Sequence, residues 1–269
     1  MSVNETNAQL LASLRPDTQL AGQTAIVTGS SSGIGEAIAR VLAASGAEVV
    51  VSGRETARSQ QVVNAIVAAG GKAHSVPADL SASYADLRTF AREATATLGG
   101  RVDLLVNNAG VYPVTPTEAL PDHDLNAILA TNIRAPHVLV AAIAPGMAER
   151  GTGSIVNIGS WMARVGTSSG AMYTASKAAI EQMTRNWSAE YGPRGVRVNT
   201  VAPGATSTPG NAAFSAALEA MTSSTIAGRP VRPIDIAHAV RFLVSDQAAF
   251  IHGSILDVDG GMVGTRLRF

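Results

Sequence analysis

Residues 24–35 read TAIVTGSSSGIG, a short β-branched run that passes through a glycine-rich turn into a segment with helical apolar spacing. Glycine permits a tight turn and lets backbone N–H groups approach a phosphate, while the helix N-terminus adds partial positive charge. The position between a strand and a helix favours a dinucleotide site over a turn that holds nothing. We predict that this site includes Gly29, Ser31, Ser32, Gly33, Ile34 and Gly35.

The same alternation of strand and helix continues along the chain. Short apolar runs ending at Gly, Asn or Asp recur at 24–29, 47–53, 73–79, 102–110, 153–160, 196–204 and 254–261. Segments with helical spacing lie between them at 34–45, 57–69, 83–98, 122–147, 174–191 and 234–244. Continuous apolar runs indicate strands that are covered on both faces. We predict an α/β fold with a Rossmann-type, doubly wound, parallel seven-stranded sheet and helices on both faces.

Two segments fall outside the alternation. Residues 1–20 are predicted to form an N-terminal arm with a short helix around residues 7–14, followed by a single domain over 21–269. Residues 205–230 form an insertion rich in Ala, Ser, Thr and Gly directly after a strand end. Because ligands bind beyond the carboxyl ends of parallel strands, we predict a substrate lid there. The alternative is an ordinary long surface loop.

Composition excludes several classes of partner. The 269 residues contain 20 basic and 20 acidic side chains, so no positive surplus favours nucleic acid or an anionic membrane. Without cysteine, and with five histidines that lack ligand spacing, the chain is expected to bind no metal. The N-terminus lacks the features of a secretory signal, and the apolar runs are interrupted before they reach membrane-spanning length. We therefore expect a soluble, cytoplasmic protein.

A catalytic pair is suggested by Tyr173 and Lys177, which are four residues apart at the start of a helical segment. This spacing places both on one helix face, and a positive charge beside a phenol lowers its pKa. Ser160 ends an apolar strand thirteen residues before Tyr173, where its hydroxyl can donate to a developing alkoxide.

Together these motifs resemble the short-chain dehydrogenase/reductase family over about residues 21–264. The resemblance rests on the TGxxxGxG turn, Asn107-Asn108-Ala109-Gly110, Tyr173-xxx-Lys177 and Pro203-Gly204. It is strongest toward ketoreductase-like members, which include 3-oxoacyl-carrier-protein reductases. It implies a catalytic tetrad of Asn132, Ser160, Tyr173 and Lys177. In that tetrad Tyr173 is the general acid or base, Lys177 also holds the nicotinamide ribose, and Asn132 supports a water-linked proton path.

The end of the second strand bears on which dinucleotide is bound. A carboxylate there would accept hydrogen bonds from a ribose 2′-hydroxyl, but this chain has Gly53 followed by Arg54. We predict that NADP(H) is preferred, with NAD(H) possible if Arg54 is only a solvated loop residue. The resemblance implies further cofactor contacts for Asp79, Leu80, Asn107, Ala109, Gly110, Pro203, Gly204, Thr206 and Thr208. Thr206 departs from the Ile or Val that the family usually has.

The expected substrate is a small carbonyl or alcohol compound. Tyr112, Trp161, Met162 and Phe214 predict an apolar, medium-sized substrate, unless they only pack in the core. The resemblance also implies a homotetramer, and residues 266–269 are a candidate segment for closing over a neighbouring subunit. Two alternatives stay open. One is an NAD(H)-dependent alcohol, sugar or steroid dehydrogenase, and the other is a dinucleotide-sensing regulator without catalysis.

Overall fold

The computed structural model describes residues 6–265, and these contain the predicted parallel sheet. Its strands occur in the spatial order β3-β2-β1-β4-β5-β6-β7, and every pair is parallel. The doubly wound, seven-stranded architecture is therefore confirmed. The strands are β1 (Thr24–Val27), β2 (Glu48–Val51), β3 (Lys72–Ser75), β4 (Leu104–Asn107), β5 (Gly153–Ile158), β6 (Val196–Pro203) and β7 (Ile255–Val258).

Helices cover both faces of this sheet, because successive strand residues point to opposite sides. Ala25 and Val27 join one buried cluster with α2, α3 and α9, whereas Ile26 joins a second cluster with α4, α6 and α7. The helices are α1 (Asn7–Ala12), α2 (Gly33–Ala44), α3 (Thr56–Ala68), α4 (Tyr84–Thr97), α5 (Asp122–Ile128), α6 (Ala135–Arg150), α7 (Ala171–Tyr191), α8 (Ser215–Thr222) and α9 (Pro233–Val244).

A π-helical segment, Leu129–Arg134, joins α5 to α6 without a break. The resulting stretch Asp122–Arg150 is long and apolar enough to cross a membrane by length and composition alone. This helical stretch is longer than the apolar run that ends at Pro145 in the sequence, because the helix continues past that proline. Since 56% of its apolar window is buried inside the protein, it is also typical of a core helix. Asn132 lies within the π-helical segment, a feature that is frequent at functional sites.

The N-terminal arm packs against the sheet-covering helices. Leu10 and Leu11 on α1 are buried in the cluster that includes α2 and α9. The Asn7 side-chain oxygen accepts a hydrogen bond from the backbone N–H of Ile234 at 3.0 Å, and Asp17 pairs with Arg241 at 2.6 Å. The arm therefore contributes to the core. The expectation for residues 266–269 lies outside the described residues.

This packing predicts that Leu10→Ala lowers the free energy of unfolding by about 2–4 kcal/mol, because the truncation leaves a cavity at a site that is 3% exposed. Urea denaturation followed by circular dichroism measures the change. The control is Val67→Ala, which shortens an exposed apolar side chain on α3. Equal losses in the two variants would contradict a structural role for the arm.

Candidate active site

A glycine turn between β1 and α2 packs directly on the segment that follows β4. Gly29 has a φ of +62°, and a Cβ there would lie 2.8 Å from the Cα of Ala109. A Cβ on Gly35 would lie 2.3 Å from the carbonyl oxygen of Gly29. Neither position has room for a side chain, so only glycine allows the turn to pack this closely on itself and on the segment after β4.

Hydrogen bonds hold this turn against the end of β4. Asn108 Nδ2 donates to the carbonyl oxygens of Thr28 and Gly29, at 2.8 and 3.1 Å. Thr28 Oγ1 accepts from the backbone N–H groups of Asn108 and Ala109, at 3.0 and 3.1 Å. The strand order reverses between β1 and β4, so these bonds brace the crevice in which such sheets bind ligands.

The nucleotide cleft, as we call the cavity along this turn, has a volume of about 380 Å³. Arg54 lines it together with Arg58, which lies on α3 and was not foreseen from the sequence. Glu55 also lines the cleft and contacts Arg58 at 3.1 Å. The predicted cofactor residues found along this cleft are Gly29, Ser31, Ser32, Gly33, Ile34, Gly35, Arg54, Asp79, Leu80, Ala109, Gly110 and Thr208.

Asp79 places a carboxylate on the wall of the nucleotide cleft. Its side chain accepts hydrogen bonds from the hydroxyl and the backbone N–H of Ser81, at 2.7 and 2.9 Å. These bonds, with the positive charge of Arg54 nearby, hold the pKa of Asp79 below its usual range. Both charges of this wall are therefore present at neutral pH.

The predicted cofactor contact of Asn107 requires a correction, because the side chain of this residue points into the protein. It is 4% exposed, lies outside the lining of both clefts, and donates from Nδ2 to Asn157 Oδ1 at 2.8 Å. The next residue, Asn108, faces the clefts in its place. Neighbouring residues at a strand end point to opposite sides, which is why only one of the two amides reaches the crevice.

The substrate cleft, a second cavity of about 380 Å³, adjoins the first. Six residues line both clefts, so the two form one continuous groove. The predicted site residues found here are Ser160, Tyr173, Lys177, Pro203, Gly204, Thr206 and Thr208. The four residues predicted to meet an apolar substrate also line it: Tyr112, Trp161, Met162 and Phe214.

The hydroxyl groups of Ser160 and Tyr173 meet in this cleft. Ser160 follows β5, and Tyr173 lies in the first turn of α7. Both side chains line the cleft, and Ser160 Oγ accepts a hydrogen bond from the backbone N–H of Met162 at 3.2 Å. The structure thus brings two hydroxyl side chains that are thirteen residues apart in the sequence into one cleft.

Lys177 lies beneath them and is buried. Its Nζ donates to the carbonyl oxygen of Ile158 at 2.9 Å and is 5.9 Å from the centroid of the Tyr173 ring. Asn132 stands behind it, outside both cleft linings, and bonds the backbone N–H and carbonyl of Val111 at 2.9 Å each. A Cβ on Gly110 would meet Asn132 Oδ1 at 3.3 Å and Lys177 Nζ at 3.4 Å, so Gly110 allows these groups to converge.

The pKa of Tyr173 departs from the expectation. Burial raises the pKa of this phenol, and the hydrogen bond from Ser160 lowers it by less. Burial also lowers the pKa of Lys177 to about 8. The amine bonds a carbonyl oxygen instead of the phenol, so its positive charge does not offset the loss of water around Tyr173.

A buried polar chain, unnoticed in the sequence, fixes α7 against the sheet. Asn157 on β5 receives the bond from Asn107 and donates to Thr184 Oγ1 on α7 at 2.8 Å. Thr184 Oγ1 also lies 2.7 Å from Thr200 Oγ1 on β6. Four side chains from four elements are linked below the catalytic residues. The hydrogen-bonded residues are far apart in the sequence, so no local sequence pattern predicts their pairing.

A second group missed from the sequence surrounds Arg164, in the loop after Ser160. Its guanidinium forms a two-pronged pair with Asp257 on β7 and lies 3.6 Å from the carboxylate of Glu181. Glu181 is buried, and burial raises its pKa, which the nearby arginines oppose. One signal was available, because Glu181 follows Lys177 by four residues and therefore shares its helix face.

Comparison with known proteins gives consistent matches over nearly the whole chain. A family model described as enoyl-(acyl carrier protein) reductase matches residues 29–263. A 3-oxoacyl-(acyl-carrier-protein) reductase of Vibrio harveyi is 37% identical, covering 90% of this chain and 98% of its own. A cyclopentanol dehydrogenase of Comamonas testosteroni is 34% identical, covering 88% and 95%. The crystal structure of a Burkholderia cenocepacia short chain dehydrogenase in complex with NADP is 37% identical, covers 91% and 99%, and superposes with a TM-score of 0.83.

The burial of Lys177 predicts a pH dependence of stability. The pKa of Lys177 is about 8 in the folded protein, whereas its ordinary value is 10.5. Between these two pH values the unfolded chain binds more protons than the folded protein does, so the free energy of unfolding increases as pH rises. Relative to Lys177→Met, we expect the wild-type free energy of unfolding to rise by about 2 kcal/mol from pH 7.5 to pH 10.

Urea denaturation at the two pH values measures this difference. Lys72→Met is the matched control, because it removes the chain's other lysine, which is exposed on β3. A relative stability that stays constant, or falls, as pH rises would contradict a buried cationic amine at position 177.

Proposed function

Since the chain belongs to the short-chain dehydrogenase/reductase family, we propose that it transfers a hydride between NADP(H) and a carbonyl or secondary-alcohol carbon, as a ketoreductase. The observation that carries this proposal is the pair of hydroxyl side chains, Ser160 and Tyr173, which line a cavity continuous with the glycine turn. A dinucleotide along the turn and a substrate oxygen at the pair would be neighbours in one groove.

The residues of the nucleotide cleft fit a dinucleotide. The turn from Gly29 to Gly35 lines this cleft at the beginning of α2, where backbone N–H groups of a helix N-terminus would bind a pyrophosphate. Arg54 and Arg58 supply two guanidinium groups near the end of β2, where a 2′-phosphate would lie. NADP in the similar Burkholderia cenocepacia structure supports the same choice. When bound, the cofactor would supply or accept the hydride.

The protein's own groups then handle the substrate oxygen and its proton. In carbonyl reduction, Ser160 and Tyr173 would donate hydrogen bonds to that oxygen, and Tyr173 would give up its proton. Its raised pKa keeps the phenol protonated at neutral pH, which suits this role as an acid. Below about pH 8 the buried amine of Lys177 is cationic, and this charge would stabilise the tyrosinate that remains.

Asn132 would support proton return from behind Lys177. Its Nδ2 donates to Val111 and to Ser176 Oγ, and its Oδ1 accepts only one bond among the described residues. Oδ1 and Lys177 Nζ border the same small space beside Gly110, since a Cβ on that glycine would lie 3.3 and 3.4 Å from them. A water in that space would have two partners, which supports a water-linked path.

The remaining features of the proposal concern assembly, location and alternatives. The chain would act in the cytoplasm as a homotetramer. Support for self-association comes from β7, whose outer edge is unpaired in the described residues, and from Phe242 on α9, an exposed phenylalanine. We propose neither a nucleic-acid nor a membrane partner, in line with the balanced charge. An NAD(H)-dependent dehydrogenase and a non-catalytic sensor are the alternative outcomes of the tests below.

Tyr173→Phe tests the chemistry. We expect the variant to lose at least about a hundredfold in kcat, because general acid catalysis contributes that much, while its affinity for NADPH is unchanged. NADPH absorbance with a panel of ketones, β-ketoacyl thioesters and an enoyl thioester measures turnover, and NADPH fluorescence measures binding. Retained turnover in the variant would remove Tyr173 as the acid. Binding without turnover in the wild type would favour the sensor.

Arg54→Ala tests the choice of cofactor. We expect kcat/KM for NADPH to fall about 10- to 100-fold, because a charge-assisted hydrogen bond to the 2′-phosphate is lost, and kcat/KM for NADH to stay the same. Arg92→Ala, an exposed arginine on α4, is the control. Equal losses with both cofactors would contradict the assignment of Arg54.

A change of cofactor preference from NADPH to NADH requires two substitutions. A Cβ on Gly53 would lie 2.7 Å from Ser31 Oγ and 3.0 Å from Ser31 Cβ, so Gly53→Asp is best combined with Ser31→Gly. The new carboxylate would repel a 2′-phosphate and accept bonds from a 2′-hydroxyl. Compared with Ser31→Gly alone, the double variant should prefer NADH.

A further inference from the structure

The walls of the substrate cleft are mainly apolar beyond the reacting pair. Three separate segments contribute large apolar side chains, which are Val114, Trp161, Met162, Phe214, Leu218 and Met221. Phe214 immediately precedes α8, and Leu218 and Met221 follow on the helix at i+4 and i+7, so the three form one stripe on the side that faces the cleft. Residues 205–230 thus add an apolar surface to this cavity.

Charged groups are nearly absent from the same walls. Among the described residues that line the substrate cleft, Lys177 is the one charged side chain, and its amine is buried and bonded to Ile158. No second cation is positioned in the lining to neutralise a carboxylate or phosphate. A charged group entering this cleft would lose its hydration without a counter-ion.

The other polar groups of the cleft are engaged within the protein. Thr206 Oγ1 donates to the carbonyl oxygen of Gly204 at 2.9 Å. Asn211 donates to the carbonyl oxygen of Thr206 and accepts from the backbone N–H of Thr208, both at 2.8 Å. A polyol would therefore find few partners beyond Ser160 and Tyr173 for its additional hydroxyl groups.

Apolar side chains at the rim remain open to solvent. Phe214 is 66% exposed, and Tyr112, Val114 and Met221 are exposed as well. An apolar ligand gains free energy by covering such surface, whereas a hydrated one does not. The rim is continuous with the reacting pair, so the occupant that matches it is the substrate itself.

Resting on the proposed function, we infer that the substrate is an uncharged, hydrophobic ketone or its secondary alcohol, and that Phe214 is a specificity-determining residue that packs on it. The carbonyl oxygen meets Ser160 and Tyr173, and the remainder of the molecule lies against the stripe of α8. Charged keto acids, sugar phosphates and polyols are disfavoured by the same surface.

Matched ketones test the substrate class. The methyl ester of 4-oxocyclohexanecarboxylate and its free carboxylate differ chiefly in charge, and we expect the ester to have at least about a hundredfold higher kcat/KM with NADPH. From cyclopentanone to cycloheptanone, kcat/KM should rise about fourfold per methylene. Equal or better use of the carboxylate would overturn the inference.

Phe214→Ala tests the specificity residue. We expect kcat/KM for the ester to fall about tenfold, mainly through KM, because apolar contact area is lost. The KM for NADPH should not change, because Phe214 lines only the substrate cleft of the two. Phe250→Ala is the matched control, since Phe250 is fully exposed at 101% and lies outside the lining of both clefts. Equal effects of the two variants would overturn the role of Phe214.

A binding measurement separates this inference from the proposed function. Trp161 lines the cleft, so quenching of its fluorescence reports ligand binding without turnover, with Trp161→Phe as the control. If no ketone is reduced although NADPH binds, the proposed hydride transfer fails. Tighter binding of the ester than of the carboxylate would still support the hydrophobic cleft, and the reverse order would refute it.

Discussion

The position of the proposed catalytic groups depends on a buried chain of hydrogen bonds that runs from Asn107 through Asn157 and Thr184 to Thr200. This chain joins β4, β5 and β6 to α7, the helix that carries both Tyr173 and Lys177. Buried polar groups are costly unless each finds its partner, so one arrangement of helix and sheet is strongly preferred. The distance between Ser160 at the end of β5 and Tyr173 on α7 follows from that arrangement.

Burial gives the reacting groups their protonation states. Lys177 has lost its water and donates to a single carbonyl oxygen among the described residues, which lowers its pKa to about 8. Tyr173 is held in its protonated form by the same loss of water. The two groups are close enough to interact. Their removal from water nevertheless shifts the pKa of each group more than the electrostatic interaction between them does. The raised pKa of Tyr173 fits its proposed role as a proton donor at neutral pH.

Much of the fold and of the site could be predicted from local patterns. Six of the seven strands lie within their predicted ranges and β3 begins one residue earlier than predicted, because continuous β-branched runs with glycine at their ends are a local signal. The pairing of Asn107 with Asn157 and the approach of Arg58 to the nucleotide cleft were not predicted, since both depend on residues from other elements. Helix α8 lies in the predicted insertion 205–230, where no helix was predicted because its small residues give only a weak apolar period.

The sequence by itself determined the parallel α/β sheet and the glycine turn, and it indicated Ser160, Tyr173 and Lys177 as candidate catalytic residues, because each depends on spacing within a short segment. Only the tertiary structure decided which of Asn107 and Asn108 reaches the cleft, how burial shifts the pKa values, and that the stripe of Phe214, Leu218 and Met221 faces the reacting pair. These properties arise where segments that are distant in the sequence pack together and exclude water. The residue spacing within a single segment therefore does not predict them.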